Sequence, residues 1–256
     1  MKIFVAIAAL AACEHTNKPA DNAAPAPAPA PAQPAAPTPK PADDMKPEPV
    51  AKAPPPAATV ATDDVRPPVA SDLADYVKDI KGSGPLMATF ETDKGTIHCQ
   101  LFDDKAPIGV ASFVGLATGK KPWMDPNSHQ VQKGKPYFDG LTFHRVIAGF
   151  MIQGGDPTGS GRGGPGYKFD NEIDRSLKMD PGTLAYANAG PGTNGSQFFI
   201  MEGSKPQLLG GYTIFGQCKE VDVVAKITHV PTSGPPEDRA ETPTVMKKVT
   251  ISRGTK

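Results

Sequence analysis

The chain has 256 residues and balances 27 basic against 27 acidic side chains, for a formal net charge of zero. No long basic block runs through it, which argues against a nucleic-acid partner, because phosphate binding needs a concentrated cationic face. Its 30 prolines are far above ordinary usage, so composition is uneven along the chain and more than one kind of segment is expected.

The N-terminus reads MKIFVAIAALAAC. Lys2 supplies a positive start and Ile3 to Ala12 a short apolar run. The run is too short to span a bilayer as a helix and has the layout of an export signal over residues 1–12. Its end, Leu10-Ala11-Ala12-Cys13, resembles the lipobox of bacterial lipoproteins. That resemblance implies cleavage before Cys13, lipid modification of that cysteine and an anchor in the cell envelope. Several acyl chains hold firmly, since each buried CH₂ adds about 0.8 kcal/mol. Glu14 follows the cysteine where inner-membrane retention would require aspartate, which directs the anchor to the outer membrane, facing the periplasm. The alternative is an ordinary cleaved signal that ends in a cysteine.

Residues 13–70 form a linker dominated by Ala and Pro, as in APAPAPAPAQPAAPTPKPA. Large apolar side chains are too few to offset chain entropy, so the segment is expected to be a disordered, semi-stiff polyproline-II tether. A ligand for a proline-binding module is the alternative. Residues 71–85 predict a short helix leading into the domain behind it: Ser71 can cap, Leu73, Val77 and Ile80 share a face, and Gly82 can stop it.

The folded domain is expected over residues 86–256. LMATFETDKGTIHCQLF predicts a hairpin turning at Asp93-Lys94-Gly95, with Ile97, Cys99 and Leu101 on one face and Thr96, His98 and Gln100 on the other. KAPIGVASFVGLATGK predicts a helix with Pro107 in its first turn, a buried stripe of Val110, Phe113, Val114 and Ala117, and Gly119 at its end. A polar loop follows to Pro136. Short strands and glycine-rich turns then run to about Gly216, VDVVAKI predicts a second short helix, and TVMKKVTIS a closing strand. About 170 residues can bury about 70% of their unfolded surface, enough for one core. Many short strands with two helices point to a mainly β fold, a closed antiparallel barrel.

Cys99 and Cys218 are a candidate disulfide in an exported protein. Two separate buried thiols are the alternative. No CxxC or metal-ligand spacing surrounds either one.

Three segments carry a resemblance. FHRVIAGFMIQGGD (143–156), YANAGPGTNGSQFFI (186–200) and YTIFGQ (212–217) are similar, in order and spacing, to the cyclophilins, a family of peptidyl-prolyl cis-trans isomerases. GTIHCQLF and APIGVASFVGLATG fit as well, and the similarity runs from about Leu86 to Ser252. It implies a closed eight-stranded antiparallel barrel capped by two helices, and rotation about X–Pro peptide bonds of other exported proteins as the activity. Arg145 is then the catalytic residue, donating a hydrogen bond to the prolyl nitrogen as its lone pair localises. Phe150, Met151, Phe199 and Leu208 are expected to wall the proline pocket, and Tyr212 stands where the family often has a histidine. Gln153 orients Arg145 or meets the substrate backbone, Ala187 and Asn188 hold the neighbouring peptide, and Gln197 lines the adjacent groove. No group has to titrate, so no cofactor and no metal is expected. The partners are proline-containing polypeptides and, through Cys13, a membrane; the fold needs no second copy, so a monomer is expected.

Two departures matter. Gln207 replaces a pocket-edge tryptophan of the best-known members, which implies weak cyclosporin sensitivity, and Ala148 replaces a proline. Competing readings are a module that holds proline segments without turnover, and a structural envelope lipoprotein. A lone arginine in an apolar strand is also commonly paired with a buried carboxylate. Gly159, Gly161 and Gly164 formally satisfy GxGxxG, but Pro165 follows where a dinucleotide site needs a helix, so a turn is expected. His15, His98, His129, His144 and His229 make no zinc motif.

Overall fold

The computed structural model describes residues 65–255. The signal, Cys13 and the linker up to residue 64 lie outside the described residues.

Alternation builds the first hairpin. β1 (Leu86–Thr92) and β2 (Thr96–Leu101) turn at Gly95, whose φ of 140° suits a residue without a Cβ. Along β2 every second residue is buried: Ile97, Cys99 and Leu101 point inward. Before the hairpin, α1 (Asp72–Val77) lays Leu73, Tyr76 and Val77 on the core. Ser71 makes no capping bond; the carboxylate of Asp72 instead accepts from the Val69 amide at 3.1 Å and the Arg66 guanidinium at 2.6 Å.

α2 (Pro107–Ala117) differs from the narrow stripe expected, because every residue from Gly109 to Ala117 is buried. Its small residues admit close neighbours: a Cβ on Gly115 would stand 2.6 Å from a ring carbon of Tyr76. Its N-terminus has no local cap. The carboxylate of Glu172 accepts from the amides of Ile108 (3.0 Å) and Gly109 (2.7 Å), placing negative charge at the positive end of the helix.

The polar loop after α2 contains a small hairpin that composition did not reveal, β3 (Trp123–Met124) with β4 (Val131–Gln132). Next come β5 (Arg145–Ile147), β6 (Met151–Gly154), β7 (Thr183–Tyr186), β8 (Phe198–Met201) and β9 (Ile214–Cys218). α3 (Val221–Thr228) and β10 (Met246–Arg253) complete the chain. The main sheet has eight strands in the order β10-β1-β2-β9-β7-β8-β6-β5, every ladder antiparallel. Cys99 and Cys218 face each other across β2 and β9 and are bonded as a disulfide.

The expected closed barrel is corrected to an open half-barrel with β10 and β5 at its edges. The reason lies at β5. The amide of Val146 donates to the carbonyl of Asp238 (3.0 Å), and Arg145 forms an isolated bridge with Arg239. The 238–239 segment thus occupies the edge that β10 would need. β10 and its approach reach only the residues before β5, through Phe143 N to Thr244 O, Gly140 N to Met246 O and Met246 N to Leu141 O.

Side chains on alternate strand positions sort into two apolar clusters. Phe90, Phe113, Phe138, Phe143, Tyr186, Phe198 and Phe215 centre the larger one, inside the half-barrel against α2. Met151, Ala185, Phe199, Met201 and Ile214, with Met179, form the smaller one on the other face.

Candidate active site

Register sets the site. Arg145 on β5 is paired with Gln153 on β6, Gln153 with Phe199 on β8, Phe199 with Ala185 on β7, and Ala185 with Ile214 on β9. Directly paired residues share a face about 5 Å apart. The result is a row across the sheet that begins with a cation at the open edge, passes through an amide and ends in apolar side chains.

The apolar end is built up by loops. Phe150, Ala187, Leu208 and Tyr212 pack on the smaller cluster beside buried Met151 and Phe199. Leu208 comes from a 3-10 turn, Pro206–Leu208, and the Tyr212 ring stands edge-on to Phe199 with centroids 5.4 Å apart. Five residues read from the sequence as a proline pocket, Phe150, Met151, Phe199, Leu208 and Tyr212, therefore meet in one apolar patch, and Ala187, expected beside the neighbouring peptide, joins them.

Gln153, Ala187, Asn188 and Gln197 line an adjoining cavity of about 890 Å³. Gln153 Nε2 donates to Gln197 Oε1 (2.9 Å), and Gln197 Nε2 donates to the carbonyl of Gly163 (2.9 Å). The Asn188 amide donates to the carbonyl of Gly211 (3.1 Å) and to Asn194 Oδ1 (3.3 Å). On the far side the cavity is bounded by the loop 161–164. Asp156 organises that loop by accepting from the amides of Thr158, Gly161 and Gly163 and the hydroxyls of Thr158 and Ser160. Burial pushes the Asp156 carboxyl up, but these hydrogen bonds outweigh it and hold the group below the usual carboxylate range. The GxGxxG glycines thus form a carboxylate-centred turn, with no helix following them.

Arg145 is half-exposed, 36% by side chain, and its Nη2 lies 3.2 Å from Oδ2 of Asp238, itself 13% exposed. Gln153 faces Arg145 in register yet hydrogen-bonds Gln197; the group on the guanidinium is an acid that the motifs did not include. The only hint in the sequence was the general tendency of a strand arginine to find a carboxylate, and nothing in SGPPEDRAE marks which one. Beside Arg145, His144 is buried with neither ring nitrogen hydrogen-bonded. Burial holds its imidazole below the ordinary value, so it is neutral at pH 7. His98 pairs with Glu220, and His229 lies near Glu202. Among the described residues no cluster of His, Cys, Asp or Glu could hold a metal, and no helix is long and apolar enough to cross a membrane.

This arrangement can bind an apolar ring, offer fixed N–H donors beside it and accept an extended chain alongside. It contains no nucleophile paired with a base. Residues 87–252 match the family described as cyclophilin type peptidyl-prolyl cis-trans isomerase/CLD. Peptidyl-prolyl cis-trans isomerase A of Mycobacterium tuberculosis is 52% identical over 169 residues, which cover 64% of this chain and 91% of that protein. Peptidyl-prolyl cis-trans isomerase B of Streptomyces anulatus is 48% identical over 161 residues, covering 60% and 91%. A crystal structure of a cyclophilin type peptidyl-prolyl cis-trans isomerase from Cryptosporidium parvum superposes with a TM-score of 0.57 at 32% identity, covering 67% of this chain and 99% of that one.

Proposed function

The chain belongs to the cyclophilin-type peptidyl-prolyl cis-trans isomerases, and from that premise we propose that Arg145 is its catalytic residue and the Phe199 patch its proline pocket. Rotation about an X–Pro bond breaks no covalent bond; its barrier of about 18–20 kcal/mol comes from sharing the nitrogen lone pair with the carbonyl. A site lowers that barrier by binding the twisted amide better than the planar one. The proline ring seats on Phe150, Met151, Phe199, Leu208 and Tyr212. Arg145 then meets the prolyl nitrogen, whose localised lone pair accepts an N–H of the guanidinium. The residue before proline leaves that nitrogen toward Gln153, Gln197, Ala187 and Asn188, and the cavity they line receives the preceding chain. An apolar wall strengthens the donor by keeping water away from it.

The observation that carries this reading is the position of Arg145: a half-exposed guanidinium at the head of the row that leads through Gln153 to Phe199. A protease-coupled prolyl-peptide assay on the full chain tests it. Arg145→Ala loses about a hundredfold in kcat/KM, the scale of one preorganised donor, and Arg145→Lys recovers little because a point charge lacks the planar fork. A variant as fast as the wild type refutes the assignment.

The clients in this proposal are proline-containing exported proteins, whose slow isomerisation limits folding over tens of seconds or more. Cys13 carries the lipid, the Ala/Pro-rich linker ahead of residue 65 tethers the domain, on which Val65 and Arg66 are already packed, and the outer membrane facing the periplasm is the location. Cys13→Ser tests the anchor: the full chain moves from the membrane fraction to the soluble fraction. Unchanged membrane association sinks it.

A further inference from the structure

Residues 232–240 fold back on themselves before β10. Thr232 bridges Ala240, the Ser233 amide donates to the carbonyl of Arg239 (2.9 Å), the Arg239 amide donates to Ser233 Oγ (3.1 Å), and the Asp238 amide donates to the carbonyl of Gly234 (3.0 Å). Two consecutive residues of this turn hold two different segments, β5 and the loop at Gly159 and Ser160. Asp238 holds β5 twice, by its carbonyl on Val146 N and by its carboxylate on the Arg145 guanidinium. Arg239 donates from Nη1 to the carbonyl of Gly159 (3.0 Å) and from Nη2 to that of Ser160 (3.2 Å), in the loop that leads to the cavity rim.

We propose that Asp238 is a positioning residue for catalysis: its carboxylate fixes the direction of the Arg145 guanidinium. The inference rests on the catalytic role assigned to Arg145. An arginine on a flexible stem on the last strand of the sheet has many rotamers, and only a few aim N–H groups at a ring seated on Phe199. One bond from Nη2 to Asp238 selects among them and leaves the other donors of the fork for the substrate. The Asp238 backbone, at φ 47°, is left-handed, a conformation that Asp and Asn adopt more readily than most residues. Arg239 supplies an internal comparison, since its guanidinium braces the same turn through the carbonyls of Gly159 and Ser160.

A double-mutant cycle on the full chain decides the matter, with kcat and KM measured for wild type, Asp238→Asn, Arg145→Ala and the double variant. Asn suits the positive φ and removes only the charge. Asp238→Asn lowers kcat about fivefold, the scale of a part-exposed ion pair, with KM within about twofold. In the Arg145→Ala background the same change has no effect, which a merely structural role would not produce. Arg239→Ala shows itself in KM instead. Asp238→Gly, which also tolerates the φ, repeats the pattern and covers the case in which the Asn variant folds poorly. A wild-type or faster Asp238→Asn enzyme, or the same loss in both backgrounds, overturns the proposal. Loss in Arg145→Ala with an unaffected Asp238→Asn removes this inference alone, whereas a fully active Arg145→Ala removes the catalytic assignment beneath it.

Discussion

Lys121 gives the sharpest test of the energetics. Its side chain is 2% exposed, its ammonium donates to the carbonyl of Arg66 at 2.8 Å, and it sits 4.5 Å from the centre of the Tyr167 ring. Burial first, and the neighbouring Arg66 charge second, push it from an ordinary 10.5 to about 8, while Asp72 works the other way. The sign is the reverse of the common case for a lysine. Between the two values the unfolded chain holds a proton that the folded chain has released, so stability rises with pH. Integrating that difference from about pH 7.5 to about pH 9.5 gives about 2 kcal/mol. The range stops short of the buried tyrosines. Burial raises Tyr137, Tyr167 and Tyr186, which costs stability only when unfolded tyrosines ionise near their ordinary 10.0. Urea unfolding at intervals across this range measures the effect, with Lys121→Met as the control that keeps length and loses the titration. The wild-type midpoint climbs relative to the variant. Parallel curves, or a wild type that only falls, refute the buried ammonium.

The disulfide between Cys99 and Cys218 spans a sequence separation of 119, and loop entropy alone gives such a crosslink about 5 kcal/mol; reduction, or Cys99→Ser with Cys218→Ser, should cost about 2–5 kcal/mol in denaturant unfolding, and a loss under about 1 kcal/mol contradicts that account. Asp156→Ala strips the acceptor from five donors in the cavity-rim turn and should cost about 3 kcal/mol or more, read as a drop in melting temperature. Because the folded carboxyl lies below its ordinary value, its contribution is present above the ordinary carboxylate range and fades as pH falls through the folded value; Asp156→Asn should therefore flatten the acid limb of stability, and an unchanged limb contradicts the assignment. Gln207 is exposed in the middle of the 3-10 turn beside Leu208, so cyclosporin should inhibit weakly and Gln207→Trp should tighten it by about tenfold. Inhibition of the wild type at low-nanomolar drug contradicts this.

What the sequence made legible is what period and turn chemistry encode locally. The alternation of β2, the glycine turn before it and the existence of α1, α2 and α3 all follow from patterns a few residues long. α2 shows the limit. Val110, Phe113, Val114 and Ala117 mark one face, but Gly109, Ala111, Ser112 and Gly115 are equally buried, because small residues mark close approach and not solvent. The hairpin of β3 and β4 escaped because two-residue strands have no period.

The site divides along the same line. Motif similarity named Arg145, Gln153 and Phe199, but period-2 alternation could not say which face of each strand was open. Register supplies that, by pairing these residues across β5, β6 and β8. Asp238 lies 93 residues from Arg145, in a turn with no periodic pattern, so no local rule could bring the two together. The miss in the fold and the miss in the site have one origin. A continuous β5–β10 ladder would have closed the barrel and filled the outer edge of β5. The 238–239 segment takes that edge instead, which leaves the sheet open and delivers a carboxylate to the guanidinium. The open edge is therefore part of how the site is built, and a change that restored β10 pairing along β5 would have to displace Asp238 from Arg145.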